Sequence, residues 1–122
     1  DGVRPFASPE LIARCFAEAD IYGNAIPAVA PVDSFRRVVS DDFSEVVNRD
    51  SLRAIQTPQV FRADILRKAY AQANQRASFT DDASVVEATG EPIHLTEGER
   101  TNIKITTPSD LIFGESILQS MP

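Results

Sequence analysis

Apolar residues first recur at helical spacing, at Leu11, Ile12, Cys15, Phe16 and Ala19. Ser8-Pro9-Glu10 ahead of them supplies an N-cap, an N1 proline and an acidic first turn, and Gly23 supplies a stop. A helix from Pro9 to about residue 22 is expected. Residues 25–32 (Ala-Ile-Pro-Ala-Val-Ala-Pro-Val) are then almost continuously apolar. Such a run suits a strand covered on both faces, as in a parallel sheet, although Pro27 and Pro31 weaken the pattern. Two β-rich pieces, 34–39 and 43–49, flank the polar Ser40-Asp41-Asp42 and read as a hairpin. An isolated ribbon of that kind is marginal in water, so this arm, about 33–49, is expected to pair with a second copy.

Gln56-Thr57-Pro58-Gln59 turns into a helix with Phe61, Ile65, Leu66, Ala69 and Tyr70 on one stripe, running to about Asn74. Thr80 is the expected cap of a short helix that ends at Gly90. A strand over 92–98, a last strand over 102–106 and a closing helix over 109–120 complete the chain. Helices alternating with strands indicate an α/β domain interrupted by the hairpin.

The 122 residues suffice for one small domain, and 43% hydrophobic with 25% charged residues is ordinary for a globular protein. A formal net charge of −6 argues against nucleic acid and anionic membranes as partners. Any anionic ligand must therefore be held by local Arg and Lys clusters. No apolar run approaches the roughly 20 residues that span a bilayer. A single cysteine, Cys15, excludes an internal disulfide, suits a reducing cytoplasm and reads as a small core side chain. The opening at Asp1, without methionine and already inside motif-like sequence, leads us to expect part of a longer chain whose upstream half precedes Asp1.

Several chemistries lack their residues. His94 has no Cys or His at metal-ligand spacing, no Ser-His-Asp set is visible, and the five glycines form no phosphate loop. What remains are polar residues at element ends. Asp1 is open to two readings, a contact to magnesium or a ribose hydroxyl and a frayed terminus. Arg4, Arg49, Thr57, Arg100 and Thr101 combine guanidinium groups and hydroxyls as a phosphomonoester site needs. Asp81 and Asp82 read as first-turn residues more than as an acid pair. Lys104, between Ile103 and Ile105, is either an exposed strand lysine or an ammonium fixed beside a helix N-terminus, where phosphate can be held.

Five segments stand in one order: Asp1 to Phe6, Asn48-Arg49-Asp50, Gln56 to Phe61, Thr80 to Ser84, and Asn102 to Thr106. Together they closely resemble the C-terminal half of the 2-C-methyl-D-erythritol 4-phosphate cytidylyltransferase family, over essentially all of the chain. The resemblance implies a Rossmann-like nucleotidyltransferase fold, present as a partial sheet, with a β-hairpin arm exchanged across a homodimer. It implies transfer of a cytidylyl group from CTP to methylerythritol phosphate, with magnesium, in the non-mevalonate isoprenoid pathway. Arg49, reaching the partner's site from the arm, and Lys104 match the cations that position the attacking phosphate. Asp1, Arg4, Ser34 and Thr57 match substrate-pocket positions, with Asp1 also near the metal and Ser34 where threonine is usual. The family's glycine-rich CTP loop has no counterpart in these residues, so the chain alone is expected to be inactive. Two other readings stand beside this one: ribitol 5-phosphate cytidylyltransferase, which usually has cysteine near Ala83-Ser84, and a non-catalytic dimerisation or phosphate-binding module.

Overall fold

The computed structural model describes residues 1–73 and 78–122. Helix α1 (Pro9–Tyr22) begins where the Ser8 hydroxyl accepts the Leu11 N–H at 3.0 Å. It ends at Gly23, whose φ of +92° is the left-handed geometry that glycine adopts without strain. Leu11, Cys15 and Ala19 are buried against Ala25 and Val60. The buried stripe is thus narrower than the sequence suggests. Ile12 and Phe16 lie on the adjacent side, which no described element covers, and Phe16 is 62% exposed.

Strand β1 (Asn24–Val29) is the spine of the sheet, buried along nearly its whole length. On one side it pairs antiparallel with β4 (Ala54–Ile55) and β5 (Val60–Phe61), and on the other parallel with β6 (Leu95–Glu97). The expected parallel sheet is therefore mixed. Pro27 is tolerated in a central strand for a geometric reason. Ile26 donates to the His94 carbonyl and Ala28 accepts from Gly98, so both face β6. Pro27 faces the other way, its carbonyl accepting the Gln56 N–H at 2.8 Å, opposite the break between β4 and β5. Its missing N–H forgoes only the return bond to Gln56, where the β1–β4 register runs out. β1 stops at Val29, short of the expected Val32.

The hairpin is present as β2 (Arg36–Ser40) and β3 (Phe43–Val46), joined antiparallel and exposed throughout. Helix α2 (Ala63–Gln72) packs on α3 (Asp82–Glu87) through Ala69, Val85 and Val86, with Phe61, Ile65 and Leu66 beside them. Its expected end near Asn74 lies outside the described residues. Asp81, not Thr80, caps α3, because its carboxylate accepts the Ser84 N–H at 2.8 Å while Thr80 sits one residue early.

The expected strand over 102–106 does not form. The Asn102 N–H turns back to Glu99, and its carbonyl is taken by the Arg4 side chain at 2.7 Å. A ladder cannot start from a residue with both main-chain groups occupied; only Ile105 keeps a strand-like bond, to Val3 at 2.8 Å. Helix α4 (Pro108–Ser120) follows behind a capping box of Thr107 and Asp110. It approaches closely at Gly114, where a Cβ would lie 3.1 Å from Ile105 and 3.4 Å from Phe6. Among the described residues no helix is long and apolar enough to cross a membrane.

Candidate functional site

Three loops converge beside the N-terminal end of α1. The first, Asp1 to Phe6, is fastened by its own polar groups: Asp1 Oδ1 accepts the Val3 N–H at 3.2 Å, and the Asp1 carbonyl accepts the Arg4 N–H. The second contains the cis Thr57-Pro58 bond between β4 and β5. The Thr57 hydroxyl donates to Asp1 Oδ2 at 3.1 Å, joining the first two loops. The third, 98–107, leads into α4 and carries Lys104.

Two open clefts flank the Asp1–Thr57 contact. One of about 420 Å³ is lined by Asp1, Thr57, Pro58, Gln59, Asp81 and Asp82. The other, about 290 Å³, is lined by Asp1, Arg4, Ala7, Ile12, Thr57 and Pro58. Asp1, Arg4 and Thr57 thus line one cleft. Arg4 already serves main-chain carbonyls, with Nη1 on Asn102 and Nη2 on Ile55 at 3.3 Å. Burial pulls its guanidinium below the ordinary arginine value.

Lys104 is exposed, and its segment is tied to the first loop through the Ile105–Val3 bond. Arg49 and Ser34 stand apart at the root of the hairpin. Arg49 lies in a short 3₁₀ turn (Arg49–Ser51) and donates to the Val32 carbonyl at 2.6 Å, close in sequence to Ser34. No hydrogen bond or shared cleft joins either of them to Asp1 and Thr57 among the described residues.

The acid pair Asp81 and Asp82 is committed to structure. Asp81 accepts from the Ser84 N–H and hydroxyl and from Gln59 Nε2 at 3.0 Å, and Asp82 accepts the Tyr70 hydroxyl. Burial works to raise the Asp81 carboxyl, but the bonds from Ser84 and Gln59 prevail and hold it below its ordinary value. Both residues act as helix N-terminal acids. Magnesium is commonly held by one or two carboxylates, the rest of its shell being phosphate and water. Among the described residues no group of three or more His, Cys, Asp or Glu could hold a metal ion. Asp1 fits the role of a single ligand and no more.

Two residues escaped the sequence reading as parts of this site. Gln56 and Asn102 are buried amides that connect the second and third loops. Asn102 carries a signal, a polar side chain at the head of a strand-like segment, while Gln56 reads only as a turn residue.

Comparison with known proteins bears on the family and the fold. The profile of the 2-C-methyl-D-erythritol 4-phosphate cytidylyltransferase family matches residues 1–120. The enzyme of that name from Bacteroides fragilis is 52% identical over 118 residues, covering 97% of this chain and 53% of the relative. That from Geobacillus thermodenitrificans is 42% identical over 121 residues, covering 98% and 53%. The chain spans about half the length of the curated relatives it matches. The crystal structure of the Thermus thermophilus enzyme superimposes with a TM-score of 0.86 at 38% identity, covering 96% of this chain and 58% of that one. The 4-diphosphocytidyl-2C-methyl-D-erythritol synthase of Anaerococcus prevotii gives 0.85 at 35%, covering 98% and 54%. These neighbours share a Rossmann-like α/β fold, of which the sheet around β1 is part. With the Asp1, Thr57 and Lys104 loops in place and a profile match over nearly every residue, the chain belongs to the 2-C-methyl-D-erythritol 4-phosphate cytidylyltransferase family.

Proposed function

We propose that the protein transfers the cytidylyl group of CTP to 2-C-methyl-D-erythritol 4-phosphate, and that this chain carries the side of the site that holds the sugar-alcohol phosphate. The observation that supports this most is the junction of loops at which the Thr57 hydroxyl meets Asp1 while Lys104 projects from the segment bonded to Val3. An oxygen of the substrate phosphate attacks the α-phosphorus of CTP. The new P–O bond forms as the bond to the β-phosphate oxygen breaks, and pyrophosphate leaves with the electron pair. No covalent intermediate is needed, so the protein contributes alignment and charge. Lys104 fixes the attacking phosphate as a point charge. Arg49 supplies a bidentate partner. Asp1 and Thr57 orient the substrate hydroxyls, Arg4 braces their loops, and Ser34 adds a donor. When bound, magnesium neutralises the nucleotide phosphates, and Asp1 would contribute one ligand.

In this reading the active form is a cytoplasmic homodimer, in which the arm carries Arg49 and Ser34 to the partner's Asp1–Thr57 junction. The separation of those two groups within one chain supports that arrangement, as do the bare hairpin faces. The nucleotide's phosphates need a glycine-rich loop that these 122 residues do not contain. Full-length protein supplied with CTP, magnesium and methylerythritol phosphate should release pyrophosphate with cytidine diphosphate methylerythritol as product. This chain alone should not. Absence of that product from the full-length protein, or near-normal turnover by the chain alone, would refute the assignment.

A further inference from the structure

A buried polar cluster lies beneath the three loops and takes no part in the chemistry above. Asn102 is fully buried and Gln56 is 6% exposed. Asn102 Nδ2 donates to the Thr57 carbonyl at 2.8 Å and to Gln56 Oε1 at 3.3 Å. Gln56 Oε1 also accepts the Glu99 N–H at 3.1 Å, and Gln56 Nε2 donates to the Glu99 carbonyl at 2.8 Å. From the other side, the Asn102 carbonyl holds Arg4. Gly98 lets the cluster close, since any Cβ there would sit 2.5 Å from Gln56 Oε1.

Both acceptors around Asn102 face its amide nitrogen, while its Oδ1 is buried without a partner. A buried polar atom left unpaired is unfavourable, so an arrangement that tolerates one is held by the bonds on the opposite atom. Those bonds fix the third loop on the second. Two residues beyond Asn102 the chain presents Lys104, and the next residue, Ile105, is bonded to Val3. Lys104 is therefore clamped on both flanks, by Asn102 against Thr57 and by Ile105 against the Asp1 loop.

We propose that Asn102, supported by Gln56, is the positioning residue that sets the Lys104 ammonium against the Thr57 hydroxyl, and so determines affinity for the substrate phosphate. This rests on the proposed function. It acts through Lys104 and Thr57 and touches no substrate.

Asn102→Asp keeps the shape but turns an acceptor toward two acceptors. In the full-length protein we expect KM for methylerythritol phosphate to rise about tenfold or more, with KM for CTP held within about twofold. Gln56→Met, which keeps the volume and adds no buried charge, should move the same constant in the same direction by less, and it answers the question if the aspartate variant does not fold. Equal losses for both substrates, or a lower active fraction with unchanged KM values, would show a merely structural role and overturn the proposal.

A second measurement does not need turnover. Inorganic phosphate titrated onto isotopically labelled protein should shift the Thr57 and Lys104 amides along one saturation curve. In Asn102→Asp that curve should weaken about tenfold or separate. Phosphate that shifts neither amide in the unaltered protein, or that shifts both in the variant along the same curve and with the same affinity as in the unaltered protein, overturns the inference. An unaltered protein that binds phosphate in this way yet makes no cytidylyl product would instead remove the proposed function alone.

Discussion

At the residue scale, exposure and bonding separate side chains that hold the fold from those free to meet a ligand. Lys104 makes no hydrogen bond or ion pair among the described residues and stands on a segment fixed at both ends. Lys104→Ala should leave unfolding free energy within about 0.5 kcal/mol of the parent. Its kcat/KM for methylerythritol phosphate should fall about a hundredfold or more, as when one preorganised charge partner is deleted. Parallel melting and steady-state measurements check both halves, and an unchanged kcat/KM would remove Lys104 from the site. Gly98 is the opposite case. A methyl there would meet Gln56 Oε1 at 2.5 Å and the Ala28 carbonyl at 3.1 Å. Gln56 cannot withdraw without breaking its bonds to Glu99 and Asn102, and Ala28 accepts the Gly98 N–H. Gly98→Ala should lose about 1–3 kcal/mol by chemical denaturation.

At the scale of elements, α1 is tied to β6 by a surface cluster that the hydrophobic pattern does not reveal. Glu18 meets His94 Nε2 at 2.9 Å and accepts the Thr96 hydroxyl, while Tyr22 stacks on the His94 ring at 3.8 Å. The bonds from His94 and Thr96 hold the Glu18 carboxyl below the ordinary glutamate value of 4.5, against a smaller opposing effect of burial. A depressed folded pKa adds stability above the unfolded value and loses it as pH falls through the folded one. Melting temperature should therefore drop more between pH 6 and pH 3 in the parent than in Glu18→Gln. Coincident profiles would dismiss the effect. The same scale shows what was legible beforehand. Helix α1 is legible to its caps because Ser8, Pro9 and Gly23 act on the chain locally, while α4 starts at Pro108 behind Thr107, one residue ahead of the expected 109. The strand expected over 102–106 failed because Asn102's partners, Arg4 and Thr57, are remote in sequence. Alternation reports a face, not who occupies the backbone. Asp1, Thr57 and Lys104 stood out as polar residues at element ends. The contact of Asp1 with Thr57, and the Gln56–Asn102 pair beneath it, depend on partners that no local pattern encodes.

At the scale of the whole molecule, the arm at about 33–49 is difficult to explain in a single copy. Its register places Arg36, Val38, Ser44 and Val46 on one face, where Arg36 bonds Ser44 and the two valines are each 78% exposed. The opposite face carries the Arg37–Glu45 ion pair at 3.0 Å, more than half exposed on both sides and so worth little to stability. A ribbon with two bare valines on one face and nothing over them among the described residues is marginal by itself, and burying two valines contributes about 3–5 kcal/mol per copy. A second copy of this chain would supply a matching surface through a two-fold axis, since an isologous contact sets the same face against itself. Light scattering at micromolar concentration should then give twice the 13.4 kDa mass of the chain. Val38→Glu combined with Val46→Glu sets like charges across that axis and should shift the mass to the single chain with the far-ultraviolet dichroism of the α/β body retained. Arg49 and Ser34 sit at the root of the same arm, so the proposed mechanism ties activity to this contact. In the full-length protein the double variant should lose turnover in step with its dimer fraction. Activity should recover as protein concentration rises. A monomeric parent, or a monomeric variant with full activity, would sever the arm from the site.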